Sequence, residues 1–262
     1  MTQSGNAAMR LDVREDVAFL TFTRPEASNT IDLQFGREFL RAVASIEASP
    51  TVRGVVLTGL GRHFCFGGDL KAMVASGGDV QTYLTELTTE LHAGIARLAR
   101  LDATVIAAVN GTAAGAGLGL VLAADLVIAG RGAKFVPAYT AVGLSPDAGC
   151  TFLLPRVVGY KRALELFLTN RVLDAETALA WGIVNEVVDD DQLQGAAAAL
   201  ASRLARGPVT AFGAVKRLMA ASQPGFEAQL ARESASIAAR GASAEGSEGI
   251  KAFLEKRAAR FP

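Results

Sequence analysis

Histidine and cysteine are scarce in this chain, two of each among 262 residues. Cys65 and Cys150 show neither CxxC nor any zinc-ligand spacing, and His63 with His92 is too few for a histidine-built metal site. The sequence therefore offers no metal ligand set. Net charge is missing too, with 26 Lys and Arg against 26 Asp and Glu. That balance lacks the electrostatic footprint of a nucleic-acid or anionic-membrane binder. No run of about 18 apolar residues occurs, and the opening MTQSGNAAMR has no apolar signal segment. These absences predict a reduced, cytoplasmic protein with no membrane and no nucleic-acid partner, whose residues 1–8 form a flexible leader. Nucleotide signatures also fail. After Gly115 and Gly117 the third glycine of a GxGxxG would fall on Leu120, and no GxxxxGKS or GxxxxGKT occurs.

Apolar residues make up half of the chain, enough for one large core or a core with an appendage. Leu11 and Val13 alternate with polar neighbours and Val17 to Phe22 is nearly continuous, which predicts two paired strands ended by Arg24 and Pro25. Asp32 is placed to cap a helix with Leu33, Phe35, Phe39, Leu40, Val43 and Ile46 at helical spacing, stopping at Ser49 and Pro50. Gly54 to Thr58, Thr104 to Val109 and Leu126 to Ala129 read as buried strands, with Lys134 to Val136 as a fourth. A long amphipathic helix carries Tyr83, Leu84, Leu87, Leu91, Ile95 and Leu98 on one face. The cadence predicts an α/β core with a mostly parallel sheet. From about Asp190 only helices are predicted, over 192–205, 209–221, 226–239 and 245–256. Residues 9–195 are accordingly read as the core and 196–262 as a helical region.

Two glycine-rich segments follow strands: GRHFCFGGDLK at Gly61 to Lys71 and VNGTAAGAGLG at Val109 to Gly119. Either alone is a tight strand-to-helix turn. As a pair, two exposed amide turns at strand ends, the second opening a helix, can converge on one oxygen atom and stabilise an oxyanion or enolate. The second segment contains no acid, base or nucleophile.

FCFGGDL at Phe64 to Leu70 and AAVNGTAAGAG at Ala107 to Gly117 resemble the two signature loops of the crotonase superfamily, the enoyl-CoA hydratase and isomerase family. Similarity extends over nearly the whole chain, through Arg24, Pro25, Asn29, Gly54 to Thr58, Gly143 to Gly149, ALAWGIVNEVV at Ala178 to Val188 and FLEKR at Phe253 to Arg257. The resemblance implies a crotonase-like spiral of ββα repeats with a C-terminal α-helical trimerisation region, assembled as a homotrimer or a dimer of trimers. It also implies an acyl-CoA substrate, with coenzyme A entering as part of the thioester and no permanently bound cofactor. The N–H groups of Gly68 and Ala116 would form the oxyanion hole, Ala116 standing where glycine is usual. Coenzyme A contacts would fall on Gly68, Asp69, Leu70 and Lys71, with Arg24 and Lys256 near its phosphates. For both cations the alternative is a solvated surface charge.

Hydratases of this family use two glutamates. Their positions fall here on Gly119 and Tyr139, so two-glutamate hydration is not expected. Some isomerases of the family instead place one acid in a proline-acid pair, which matches Pro146 and Asp147. The surrounding residues are most similar to isomerases of the phenylacetyl-CoA pathway, which act on a ring epoxide. Asp147 is thus the candidate acid/base, carrying a proton between C2 and C4 of an enoyl thioester. The competing reading is an ordinary helix cap. Tyr139 is either a phenol that orients a carboxylate or donates a proton, or an aromatic pocket wall. Phe66, Met73, Val74, Tyr83 and Leu87 are expected to border the acyl pocket, and His63 either touches coenzyme A or lies on the surface. Cys65 is expected to pack rather than react. Alternatives to the isomerase are an atypical hydratase or decarboxylase using Tyr139 or a substrate-bound water, and a catalytically silent acyl-CoA-binding subunit.

Overall fold

The computed structural model describes residues 7–76, 80–221, 243, 244, 248, 252, 255 and 257–262. In chain order the elements are β1 (Met9–Arg14), β2 (Val17–Phe22), α1 (Leu33–Ala48), β3 (Gly54–Gly59), β4 (His63–Cys65), α2 (Leu70–Ala75), α3 (Val80–Arg100), β5 (Thr104–Val109), β6 (Thr112–Ala114) and α4 (Ala116–Ala123). There follow β7 (Leu126–Gly130), β8 (Lys134–Val136), α5 (Cys150–Val158), α6 (Tyr160–Thr169), β9 (Leu173–Asp174), α7 (Ala175–Ala180), β10 (Glu186–Val188), α8 (Leu193–Ala205) and α9 (Val209–Ala220).

The main sheet has the order β1-β2-β3-β5-β7-β10. β1 and β2 are antiparallel, and the remaining neighbours are parallel. Parallel strands buried on both faces read as continuous apolar runs rather than alternating ones, and both faces are indeed covered. Val17, Val56, Ile106 and Ile128 meet Leu193, Ala197, Ala201 and Ala205 of α8. Leu20, Val55, Leu57, Val105 and Ala107 face the larger core with Phe35, Phe39 and Val43 of α1. The boundary expected between residues 195 and 196 falls inside α8, which covers the sheet and belongs to the core.

β3, β5 and β7 each lead into a three-residue strand, β4, β6 or β8, of a second sheet ordered β4-β6-β8-β9, and then into helix. This recurring ββα unit is the expected spiral. β4 and β6 lie inside the glycine-rich segments, where three residues are too few for any alternation to register. The helices expected over 226–239 and 245–256 lie outside the described residues except for Glu248, Ala252 and Glu255, and Lys256 lies outside them as well.

A buried polar knot fixes the first glycine-rich segment. Asn29, 1% exposed, accepts the Arg24 N–H on Oδ1 at 3.0 Å and directs Nδ2 to the carbonyls of Leu60, His63 and Phe64 at 3.0, 2.8 and 3.3 Å. The Arg24 guanidinium grips Asp32 with Nη1 to Oδ2 at 2.7 Å and Nη2 to Oδ1 at 2.9 Å, and Nη2 also reaches the Thr30 carbonyl at 2.9 Å. Asp32 in turn caps α1 by accepting the Phe35 N–H at 2.8 Å. Arg24 is therefore neither a solvated surface charge nor free for a phosphate.

Burial pushes the Asp32 carboxyl up, but the Arg24 bond, the Phe35 N–H and the Arg24 charge outweigh it and hold the group below the ordinary carboxylate range. A depressed folded-state value contributes stability that is complete above the unfolded-chain value of about 3.9 and is lost as pH falls through the lower folded value. Arg24→Met should cost about 3 kcal/mol at neutral pH, the scale for orphaning one member of a buried pair. In urea unfolding, the gap between variant and wild type should shrink below pH 4. A gap of equal size at pH 3 and pH 7 would contradict this account.

Candidate active site

A cavity of about 720 Å³ opens between the two glycine-rich segments, α3 and the stretch 136–147. Gly68 and Ala116 both line it, as the sequence predicts. The first amide is freed by strand geometry: in the parallel bridge between Ile31 and Gly68, Ile31 N–H donates to Gly67 O at 2.8 Å and Asp69 N–H to Ile31 O at 2.9 Å. Neighbours make both bonds, so the N–H of Gly68 points away from that bridge. Ala116 is the first residue of α4, where an N–H has no intrahelical acceptor. Among the described residues neither amide has a hydrogen-bond partner. The two loops touch backbone to backbone, since a Cβ on Gly67, at φ +84, would lie 2.8 Å from Ala114 O.

Three carboxylates line the cavity, Glu26, Asp69 and Asp147. Glu26 is exposed on its rim. Asp69 caps α2 through the N–H groups of Lys71 and Ala72 at 2.9 and 3.0 Å and accepts the Thr30 hydroxyl at 3.2 Å. Asp147 caps nothing: α5 starts at Cys150 with Gly149 at the cap position. Instead its Oδ1 accepts the Tyr139 phenol at 2.6 Å. The cap alternative thus gives way to a phenol–carboxylate pair, and Tyr139 is more than a pocket wall.

Both partners are aimed by unusual backbone. Ala138, beside Tyr139, has φ +60, and Ala148, beside Asp147, has φ +50, a left-handed conformation that costs a non-glycine residue about 1 kcal/mol or more. The Asp147–Ala148 turn leaves no room for a side chain at 119: a Cβ on Gly119 would lie 2.5 Å from Ala148 Cβ and 2.7 Å from Ala148 O.

Burial, then the neighbouring Cys150 and Asp147, push the Tyr139 phenol far above its ordinary value. It stays protonated at any working pH and serves as a donor to Asp147, not as a proton carrier. The Cys150 thiol, 3.7 Å from the phenol oxygen and 3.9 Å from Gly115 O, is pushed up to about 12 by burial. Burial also takes Cys65 up to about 12, so neither is a thiolate nucleophile.

His92 is the site neighbour the sequence did not reveal. On α3, its Nε2 accepts the Ala148 N–H at 3.1 Å and lies 3.5 Å from Asp147 Oδ2. The available signal was its place one residue after Leu91 and one turn after Thr88, both of which line the cavity.

Phe66, Met73 and Leu87 border the cavity with Leu84, Leu91 and Leu144, but Val74 is 80% exposed, and neither it nor Tyr83 lines the cavity. Gly68, Asp69, Leu70 and Lys71 line it, whereas Arg24 does not. His63 packs edge-on against Phe66 with ring centroids 4.8 Å apart and is not a lining residue. Among the described residues no cluster of His, Cys, Asp or Glu is placed to hold a metal ion, and no helix is long and apolar enough to cross a membrane.

Known proteins agree with this architecture. Residues 12–262 match the family described as Enoyl-CoA hydratase/isomerase. A Rhodobacter capsulatus protein named "Probable enoyl-CoA hydratase" is 42% identical, over 97% of each chain. The 1,2-epoxyphenylacetyl-CoA isomerase of Escherichia coli is 39% identical, over 95% of this chain and 96% of its own. The crystal structure of an enoyl-CoA hydratase from Polaromonas sp. JS666 superposes with a TM-score of 0.92 at 32% identity, covering 97% of this chain and 99% of that one. With fold, loops and length all matched, the chain belongs to the enoyl-CoA hydratase/isomerase family of acyl-CoA enzymes.

Proposed function

We propose that this enzyme is an enoyl-CoA isomerase, moving a double bond or opening a ring epoxide through a thioester enolate. The observation that carries the reading is Asp147: of three carboxylates on the cavity it alone is neither at the rim nor capping a helix, and a buried phenol aims it. In the 3-enoyl to 2-enoyl direction, Asp147 takes a proton from C2. The C–H electron pair moves into a dienolate whose charge rests on the thioester oxygen. The N–H groups of Gly68 and Ala116 receive that charge, each such donor being worth about 2.7 to 4 kcal/mol of barrier. Asp147 then returns the proton at C4. Coenzyme A enters with the substrate, and the backbone of Gly68 to Lys71 at the cavity supports its docking there.

The raised Tyr139 phenol argues against a hydratase or decarboxylase that uses it as an acid. A silent acyl-CoA-binding subunit is opposed by the cost of holding two left-handed alanines around one carboxylate, a strain of the kind that collects at active sites.

Asp147→Asn should lower kcat on a 3-enoyl-CoA by about 10²- to 10⁴-fold while leaving CoA-ester binding largely intact; unchanged turnover would sink the assignment. Gly119→Glu restores a carboxylate at the hydratase position. Its side chain must displace Ala148, so the variant is expected to melt several degrees lower, in line with an overpacking cost of about 1 to 3 kcal/mol, and to lose isomerisation without gaining hydration. Formation of 3-hydroxyacyl-CoA or carbon dioxide by the wild type would favour the hydratase or decarboxylase reading.

A further inference from the structure

Asp147 has two faces. One lines the cavity; the other meets His92, which does not line the cavity and whose side chain is 45% exposed. The Ala148 N–H donates to His92 Nε2, so that nitrogen carries its lone pair and the neutral ring holds its proton on Nδ1. Asp147 Oδ1 is engaged by the Tyr139 phenol. Oδ2, the freer oxygen, is the one 3.5 Å from Nε2; both atoms are acceptors until Oδ2 takes up a proton, which then supplies the donor between them.

We propose that His92 is the exit through which a proton captured by Asp147 exchanges with solvent, so that it sets how much of the substrate's own proton is returned to product. The proposal rests on Asp147 being the proton carrier. A proton taken from substrate carbon forms an O–H bond at Oδ2. That proton passes to the Nε2 lone pair as the Ala148 N–H lets it go, leaving the O–H electron pair on the carboxylate and an imidazolium on the solvent side. The exposed imidazolium exchanges its N–H protons with water, and a solvent proton returns along the same atoms. Tyr139 occupies the Oδ1 side, so the route through His92 runs from Oδ2, beside the 29% of the Asp147 side chain that is itself exposed. His92 acts through Asp147 and is a positioning residue for the proton, not a group that touches substrate.

The test runs the intact enzyme in D2O with two readouts: deuterium per product molecule from a 3-enoyl-CoA, and wash-in of deuterium at C2 of a saturated acyl-CoA. His92→Gln retains an acceptor for the Ala148 N–H but cannot shuttle a proton. Both readouts should fall at least about tenfold in this variant, less than the about 10²- to 10⁴-fold that a group transferring a proton to substrate contributes. In His92→Ala both should fall likewise and be restored by added imidazole, a rescue that a merely structural role would not show. Unchanged deuterium per product in His92→Gln, or wild-type product free of solvent deuterium, overturns the proposal. If wild type does not isomerise the ester but C2 wash-in still depends on both Asp147 and His92, the isomerase reading falls and the proton route stands.

Discussion

Close approach of two stretches of backbone is the constraint on which this site depends. The second glycine-rich segment lies on the first with no side chain between them: besides the Gly67 contact, a Cβ on Gly117 would sit 2.2 Å from Cys65 O. A separation under 3 Å cannot hold a methyl group, so any side chain at these points would drive α4 off β4. The contact keeps the free amides of Gly68 and Ala116 on one cavity wall with no side chain to position them. It also explains the Gly- and Ala-rich composition of α4, which is buried almost all round.

The same crowding decides where an acid can stand. With Ala148 packed on Gly119 there is no room for a side chain at 119, and the carboxylate that reaches the cavity from this turn is Asp147. Its surroundings are graded: a phenol that burial holds protonated on one oxygen, an exposed imidazole near the other, and a thiol behind the phenol. A single carboxylate so arranged can take up and return one proton, whereas addition of water asks for two groups acting on different atoms.

The parallel strands were legible because burial on both faces writes them as continuous apolar runs, as in Thr104 to Val109. The strands of the second sheet were not, since a three-residue strand such as Thr112–Ala114 leaves no period to detect. Gly68, Ala116 and Asp147 were reached through family-like loops, and the structure brings all three to one cavity. Arg24 was misread because a sequence does not distinguish a cation on the surface from one folded onto Asp32 eight residues later. The pairing of Tyr139 with Asp147 depends on left-handed turns at Ala138 and Ala148, positions where alanine gives no warning of such backbone. His92 was hidden for a related reason: its partner turn arrives from more than fifty residues downstream.

The central claim is that one amide pair holds the thioester oxygen while Asp147 reaches the adjacent carbon. A crystal structure with a bound acyl-CoA reads this directly. The account predicts the thioester oxygen within about 2.7 to 3.1 Å of the nitrogens of both Gly68 and Ala116, with C2 facing Asp147 Oδ2. A thioester oxygen bound elsewhere, or a C2 turned away from Asp147, would contradict it.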